Sequence, residues 1–306
     1  MTAQQRRVSG IRRSLGLGLT LVGGAWYALR WLPSLDFGLP AWQTTSLAGL
    51  VAAATGITLL LPVRRRVSLG TFLVAVGVVA AASWVRLPVQ PPQTPALRVA
   101  AINLQFSEAD PAELREELAA LDPDVLVLAE VDPAVIDDLV QALPRLELAS
   151  PTPTGADSGT AVLLARTLTG SSTVRSTETS EPAGHQQPLV ETPGLSVQAV
   201  HTQAPTTPDA WQSDLDRLDR VAAERRQPLI MVGDFNASAD HPGFRQLAEG
   251  GTECRDTLLG SPTWPAPVPY VRIDHIVIFG GSCGAAGSFG VSGTDHRGIW
   301  ADVTLD

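Results

Sequence analysis

Three long apolar stretches fill most of the first 86 residues, SLGLGLTLVGGAWYALRWL from Ser14, WQTTSLAGLVAAATGITLLL from Trp42 and VSLGTFLVAVGVVAAASWV from Val67. Each approaches the roughly 20 residues that a helix needs to cross a hydrocarbon layer. The same region holds nine arginines and a single acidic residue, Asp36, a surplus of +8. The whole chain carries −9, so residues 87–306 carry −17. Arg6, Arg7, Arg12 and Arg13 precede the first stretch, Arg64, Arg65 and Arg66 separate the second from the third, and the connection PSLDFGLPA has no basic residue. Basic residues stay on the cytoplasmic side of a membrane. The expectation is three transmembrane helices with a cytoplasmic N-terminus, everything beyond them extracytoplasmic, and the lipid bilayer as a partner.

Residues 88–96, PVQPPQTPA, contain four prolines and no apolar period, the composition of a semi-rigid tether. The chain is thus read as a membrane domain over 1–87, a linker over 88–96 and a folded domain over 97–306. In that last part apolar strands alternate with amphipathic helices. LRVAAINL and VLVLAEV read as strands and DPAELREELAAL as a helix with an acidic first turn. In TPDAWQSDLDRLDRVAAERR, Trp211, Leu215, Leu218 and Val221 or Ala222 share one helical face. Further strands are expected near 159–166, 187–191 and 195–201 and in PLIMVGD, RIDHIVIF and RGIWADVTL. Many short strands with few helices indicate an α+β fold of two packed sheets with helices outside.

Five separated places put a polar residue at or just beyond the end of an apolar strand: Asn103 in VAAINLQF, Glu130 in VLVLAEVDP, His201 in VQAVHTQAP, the pair Asp234 and Asn236 in IMVGDFNAS, and Asp295 with His296 in GTDHRGIW. Taken singly each has an ordinary explanation, such as a turn former, a helix cap or a satisfied histidine. Ionised carboxylates are rarely buried without a partner. Together they supply oxygen donors and imidazoles, the set needed for a hard cation and for proton transfer. In RIDHIVIF, Asp274 faces away from His275 and can hold a catalytic histidine in one tautomer. The competing partner for Asp274 is Arg272.

The ordered set Asn103, Glu130, His201, GDFN, RIDH and TDH resembles the endonuclease/exonuclease/phosphatase superfamily, over residues 97–304. The resemblance implies a four-layer α/β/β/α sandwich of two mixed sheets and hydrolysis of a phosphoester with Mg²⁺ or Mn²⁺. It implies Glu130 as the principal metal ligand with Asn103 and Asp295 near the metal. Asp234 would activate the attacking water, Asn236 would bind a phosphate oxygen, and His201 and His296 would be the two active-site histidines, His296 held by Asp274. Two departures stand out: Gln105 occupies a place where many members carry Asn or Asp, and no tyrosine matches the one used by abasic-site endonucleases. The acidic domain disfavours a stable nucleic-acid complex, because nonspecific binding relies on neutralised phosphates. The expected substrate is a phosphorylated small molecule or a lipid-linked phosphate at the outer membrane face. An extracytoplasmic nuclease is the alternative. Cys254 and Cys283, the only cysteines, allow either one bridge or two unpaired thiols.

Overall fold

A computed structural model describes residues 3–33, 38–61, 97–170, 175–178 and 184–306. The chain divides into two compact units, one built mainly from the N-terminal residues and one from most of the remainder.

The N-terminal unit contains helices α1 (Ala3–Ala28), α2 (Leu39–Thr44) and α3 (Ser46–Leu60). Glycines let α1 and α3 approach closely: a Cβ on Gly23 would strike the backbone of Gly49 and Ala53, and one on Gly56 the backbone of Gly16 and Thr20. Among the described residues, however, no helix is both long and apolar enough to cross a membrane. This corrects the expected multi-pass localisation and the side of the membrane assigned to the catalytic domain. The first two apolar stretches do not become single continuous spans. The helix carrying the first begins in arginine-rich sequence and gives way at Leu29 to a 3-10 turn. The second is broken at Thr45, leaving α3 with 15 residues. The third, residues 67–85, lies outside the described residues.

In the second unit, β1 (Leu97–Asn103) leads through α4 (Pro111–Leu121) to β2 (Val125–Ala129). The Asp110 side chain caps α4, accepting from the amides of Ala112 and Glu113, two donors that no helical carbonyl can serve. Then come α5 (Pro133–Ala142), β3 (Leu146–Leu148), β4 (Thr160–Ala165), the single turn α6 (Arg166–Thr169) and β5 (Arg175–Glu178). The second half repeats the plan, with β6 (Pro188–Thr192), β7 (Leu195–His201), α7 (Pro208–Glu224), β8 (Leu229–Asp234) and α8 (Pro242–Ala248). It ends with β9 (Thr252–Glu253), β10 (Asp274–Phe279), β11 (Gly281–Phe289) and β12 (Gly298–Leu305).

Two six-stranded sheets result, in the orders β11-β12-β1-β2-β4-β3 and β5-β6-β7-β8-β10-β9. Each is mixed, with one parallel pair at its centre, β1 with β2 and β7 with β8. Val99, Ala101, Val125 and Val127 of the first sheet share one core with Val197, Ala199, Ile230, Val232 and Ile276 of the second. Alternate residues point outward. Ile102, Leu126 and Leu128 pack with Leu114, Leu118, Ile136 and Leu139 of α4 and α5, while Met231, Val277 and Phe279 pack with Trp211, Leu215 and Phe244 of α7 and α8. The central strands are therefore buried on both faces, which is why they read as unbroken apolar runs rather than alternating ones. The layers are helix, sheet, sheet, helix.

The strand directions bring the polar ends together. Parallel pairing sets Asn103 opposite Ala129 and His201 opposite Asp234. Antiparallel β10 starts where β8 stops, Asp274 facing Asp234, and β12 starts beside the end of β1, Ile299 facing Ala101. The two cysteines are bonded, joining the β11 edge of the first sheet to the residue after β9 at the edge of the second.

Candidate active site

A continuous row of polar contacts runs across this end of the sandwich. The Asn103 amide, 1% exposed, donates to Glu130 Oε1 at 2.9 Å and to Asp234 Oδ2 at 3.2 Å. Asp234 Oδ2 lies 3.7 Å from Nε2 of His296, and that nitrogen lies 3.9 Å from Asp295 Oδ1. Behind the row, His296 Nδ1 donates to Asp274, 3.0 Å from Oδ2. At its other end, His201 Nε2 is 3.6 Å from Glu130 Oε1. All eight residues singled out in the sequence thus belong to one cluster, Asn236 through its amide N–H, which donates to Asp234 Oδ1 at 2.8 Å.

Local backbone shapes make this possible. Glu130 and Asn236, just beyond β2 and β8, both take left-handed conformations, φ 53° and 46°. Asn tolerates that region and Glu does so only at a cost of order 1 kcal/mol. After β1, Gln105, Phe106 and Ser107 are all left-handed, φ 47°, 56° and 64°. That turn aims the Phe106 amide at Glu130 Oε2, 3.0 Å away, and lets Ser107 bond the Glu130 carbonyl. Gln105 stands behind Asn103, its amide donating to Oδ1 at 2.9 Å. Glu130 therefore does not cap α5; its carboxylate turns inward.

Electrostatics separates the groups. Burial pushes the Asp234 carboxyl up, with Asp274 adding to the rise against the opposing pull of His296, to about 6. For His296 burial acts downward, but the carboxylates of Asp274 and Asp234 overcome it and raise the imidazole to about 10. Burial also acts to raise Glu130, yet contacts from His201 and Asn103 leave it below the ordinary carboxylate value. His201 is driven downward by burial and by His185. The two imidazoles are thus unlike: His296 is backed by a carboxylate, whereas Nδ1 of His201 is buried without a hydrogen-bond partner among the described residues and the ring stacks on His185, centroids 3.8 Å apart.

His185 was not visible in the sequence, since it precedes β6 in a polar loop with no strand-end signal. Trp264 was also missed; its indole N–H donates to Asp295 Oδ2 at 2.9 Å. Thr263 is a third, its hydroxyl receiving the amide of Asp274 at 3.3 Å. Arg272 does not compete for Asp274. It lies 3.4 Å from Glu253 and donates to the carbonyls of Cys254 and Ser261. His275 is structural, placed between Glu253 and the Ala237 carbonyl at 2.8 Å each.

Asp234, Asp274 and His296 offer ligand atoms within 4.8 Å of one another, a possible metal site. Glu130 and Asp295 are also suited to a hard cation by the chemistry of their carboxylates. Among the described residues each Glu130 oxygen accepts a single bond, from Asn103 or Phe106, and Asp295 Oδ1 accepts none, so lone pairs remain on both carboxylates. Glu130 and Asp295 are also the more open carboxylates, with side chains 17% and 40% exposed, which leaves room for the waters that Mg²⁺ retains.

The family model for the endonuclease/exonuclease/phosphatase family matches residues 100–296, and this chain belongs to that family. It is a hydrolase acting on phosphoester bonds, of a family dependent on divalent metals. Solved structures share the fold. A humanized TDP2 of D. rerio is 17% identical, with 69% of this chain and 99% of that one covered and a TM-score of 0.53. A functionally unknown protein from Enterococcus faecalis V583 is 15% identical, covering 69% and 100%, with a TM-score of 0.55. The 3′ phosphatase NExo of Neisseria, bound to a product DNA hairpin, is 15% identical, covering 69% and 100%, with a TM-score of 0.51. No curated protein matches this sequence.

Proposed function

We propose that this protein hydrolyses the phosphoester bond of a small, metabolite-sized substrate with the help of Mg²⁺ or Mn²⁺. The observation that carries the reading is the unbroken row from Glu130 through Asn103 and Asp234 to His296 and Asp274, in which a carboxyl poised near neutrality adjoins a carboxylate-backed imidazolium. Glu130 and Asn103 would hold the metal, with Asp295 beside it. The metal would neutralise phosphate charge and stabilise the leaving oxygen.

The chain's own groups divide the remaining work. Asp234, held by the Asn103 amide and the Asn236 backbone, orients the attacking water and accepts its proton. His296 keeps its proton and presents Nε2–H to the charge that builds on phosphate oxygens. Asn236 donates one amide hydrogen to the Thr202 carbonyl at 3.0 Å; its second N–H is available to a phosphate oxygen. His201, neutral beside Glu130, steadies that carboxylate. A small substrate is favoured because residues 87–306 carry −17, which repels a polyanion.

The test is hydrolysis by the full chain in Mg²⁺, read as phosphate release from phosphomonoesters and pyrophosphates, as alcohol release from phosphodiesters, and as strand breakage of plasmid DNA. Asp234→Asn should lose roughly a hundredfold or more, the scale of a general base. Equal rates for parent and variant on every substrate would remove Asp234 from the role, and plasmid as the best substrate would favour the nuclease alternative.

A further inference from the structure

The two histidines of the polar row are held in different ways. The direction of an active-site imidazole is usually set by the bond that its second nitrogen makes, and for His296 that bond goes from Nδ1 to Asp274. His201 lacks one. Its Nε2 lies 3.6 Å from Glu130 Oε1, while its Nδ1 is buried without a hydrogen-bond partner among the described residues. A ring face takes the place of the missing bond: His185 lies over His201 with centroids 3.8 Å apart and planes inclined by 21°.

His185 is itself firmly seated. Its Nδ1 donates to the Thr202 carbonyl at 3.2 Å, the same oxygen that receives the Asn236 side-chain amide at 3.0 Å. The next residue, Gln186, donates its backbone amide to the Ser158 carbonyl at 2.8 Å, and its side chain accepts from the Thr154 amide at 3.0 Å. Thr202 follows β7 and Ser158 precedes β4, so the segment is tied to both sheets. Beside Ser158, the Gly159 carbonyl receives the amide of Val131 at 3.2 Å, and Val131 directly follows Glu130. The backbone that seats the His185 ring is thus bonded to the backbone that carries Glu130.

We propose that His185 is a positioning residue, whose ring keeps Nε2 of His201 directed at Glu130 and so holds that carboxylate in the orientation a metal requires. This role rests on the phosphoesterase reading and extends it to a residue that acts through another. A flat ring at position 185 is what the role demands; the bond to Thr202 serves to seat that ring.

Thermal unfolding of the full chain over a Mg²⁺ series reads metal affinity without any substrate. The affinity comes from the concentrations over which Tm rises, so a lower starting Tm in a variant does not enter. His185→Leu, which keeps bulk but not flatness, should weaken Mg²⁺ binding about threefold or more, less than the roughly 10–100-fold that losing a direct partner of a ligand costs. His185→Phe, which keeps a flat face for stacking, should stay within about twofold of the parent. His201→Ala should weaken binding about tenfold, and His185→Leu added to it should cost nothing further, because its effect passes through a ring already removed. NMR of ring-labelled histidines should show the His201 ring protons displaced upfield in the parent and in His185→Phe, and released from that displacement in His185→Leu. Parent-like Mg²⁺ binding by His185→Leu, binding by His185→Phe as weak as by His185→Leu, or an undiminished further loss in the His201→Ala background overturns the role of His185 and leaves the phosphoesterase reading standing. A parent whose Tm does not respond to Mg²⁺ or Mn²⁺ overturns the metal-dependent reading and this role with it.

Discussion

Asp274 engages Nδ1 of His296 with both carboxylate oxygens, at 3.2 and 3.0 Å, and the two residues are only 2% and 6% exposed. The opposite ring nitrogen then faces Asp234. Charge state and direction of this histidine are therefore set by a neighbour that need not touch substrate.

The pH profile should show it. Activity should rise through about pH 6 as Asp234 ionises and fall through about pH 10 as His296 loses its proton. Asp274→Asn removes an anion that holds that proton, so the alkaline limb should move to lower pH. Profiles of kcat/KM for the two proteins read the shift, and coincident alkaline limbs would count against the pairing.

Glu130→Gln should raise the Mg²⁺ concentration needed for half-maximal activity by about tenfold or more, since a neutral oxygen binds a hard cation more weakly than a charged one. The same titration followed by thermal unfolding should show a smaller rise in Tm with Mg²⁺ than in the parent. Identical metal dependence would place the ion elsewhere, with the group of Asp234, Asp274 and His296 the next candidate.

Away from the reaction, burial acts to raise Glu253, but His275 and Arg272 outweigh it and hold the carboxyl down to about 2. A depressed folded-state value stabilises the fold above the unfolded pKa of about 4.3, and the contribution disappears as pH falls through the folded value. Glu253→Gln should cost about 3–5 kcal/mol at pH 7, the range for breaking a buried pair. Urea unfolding at pH 7 and near pH 3 should show the gap between parent and variant narrowing in acid.

Cys254→Ser opens a loop closed across 29 residues of sequence separation and should lower stability by about 3 kcal/mol. Unfolding midpoints with and without reductant should differ for the parent and coincide for the variant.

Much of this was legible from residue order because it depends on strand ends. A doubly buried strand is an unbroken apolar run, so the residue that interrupts it is conspicuous, as Asn103, Glu130, His201 and Asp234 were. The face alternation that separated Asp274 from His275 is equally local. The missed elements draw their stability from partners distant in sequence. β11, GSCGAAGSF, has almost no apolar alternation and forms through its ladder with β12, with a register shift between Cys283 and Ala286. Trp264, Thr263 and His185 act from loops, where no period announces a role. The membrane spans failed for a related reason: apolar content was read without knowing where each helix would break, and Thr45 breaks one of them.

The 3.2 Å bond from Asn103 to Asp234 joins a side chain on β1 to one on β8, and these strands belong to opposite sheets. A slip of one sheet over the other by a single residue, about 3.3 Å, would sever it. Turnover should consequently report how the halves of the molecule are seated, and substitutions in the intervening apolar layer can silence the enzyme while every strand remains intact.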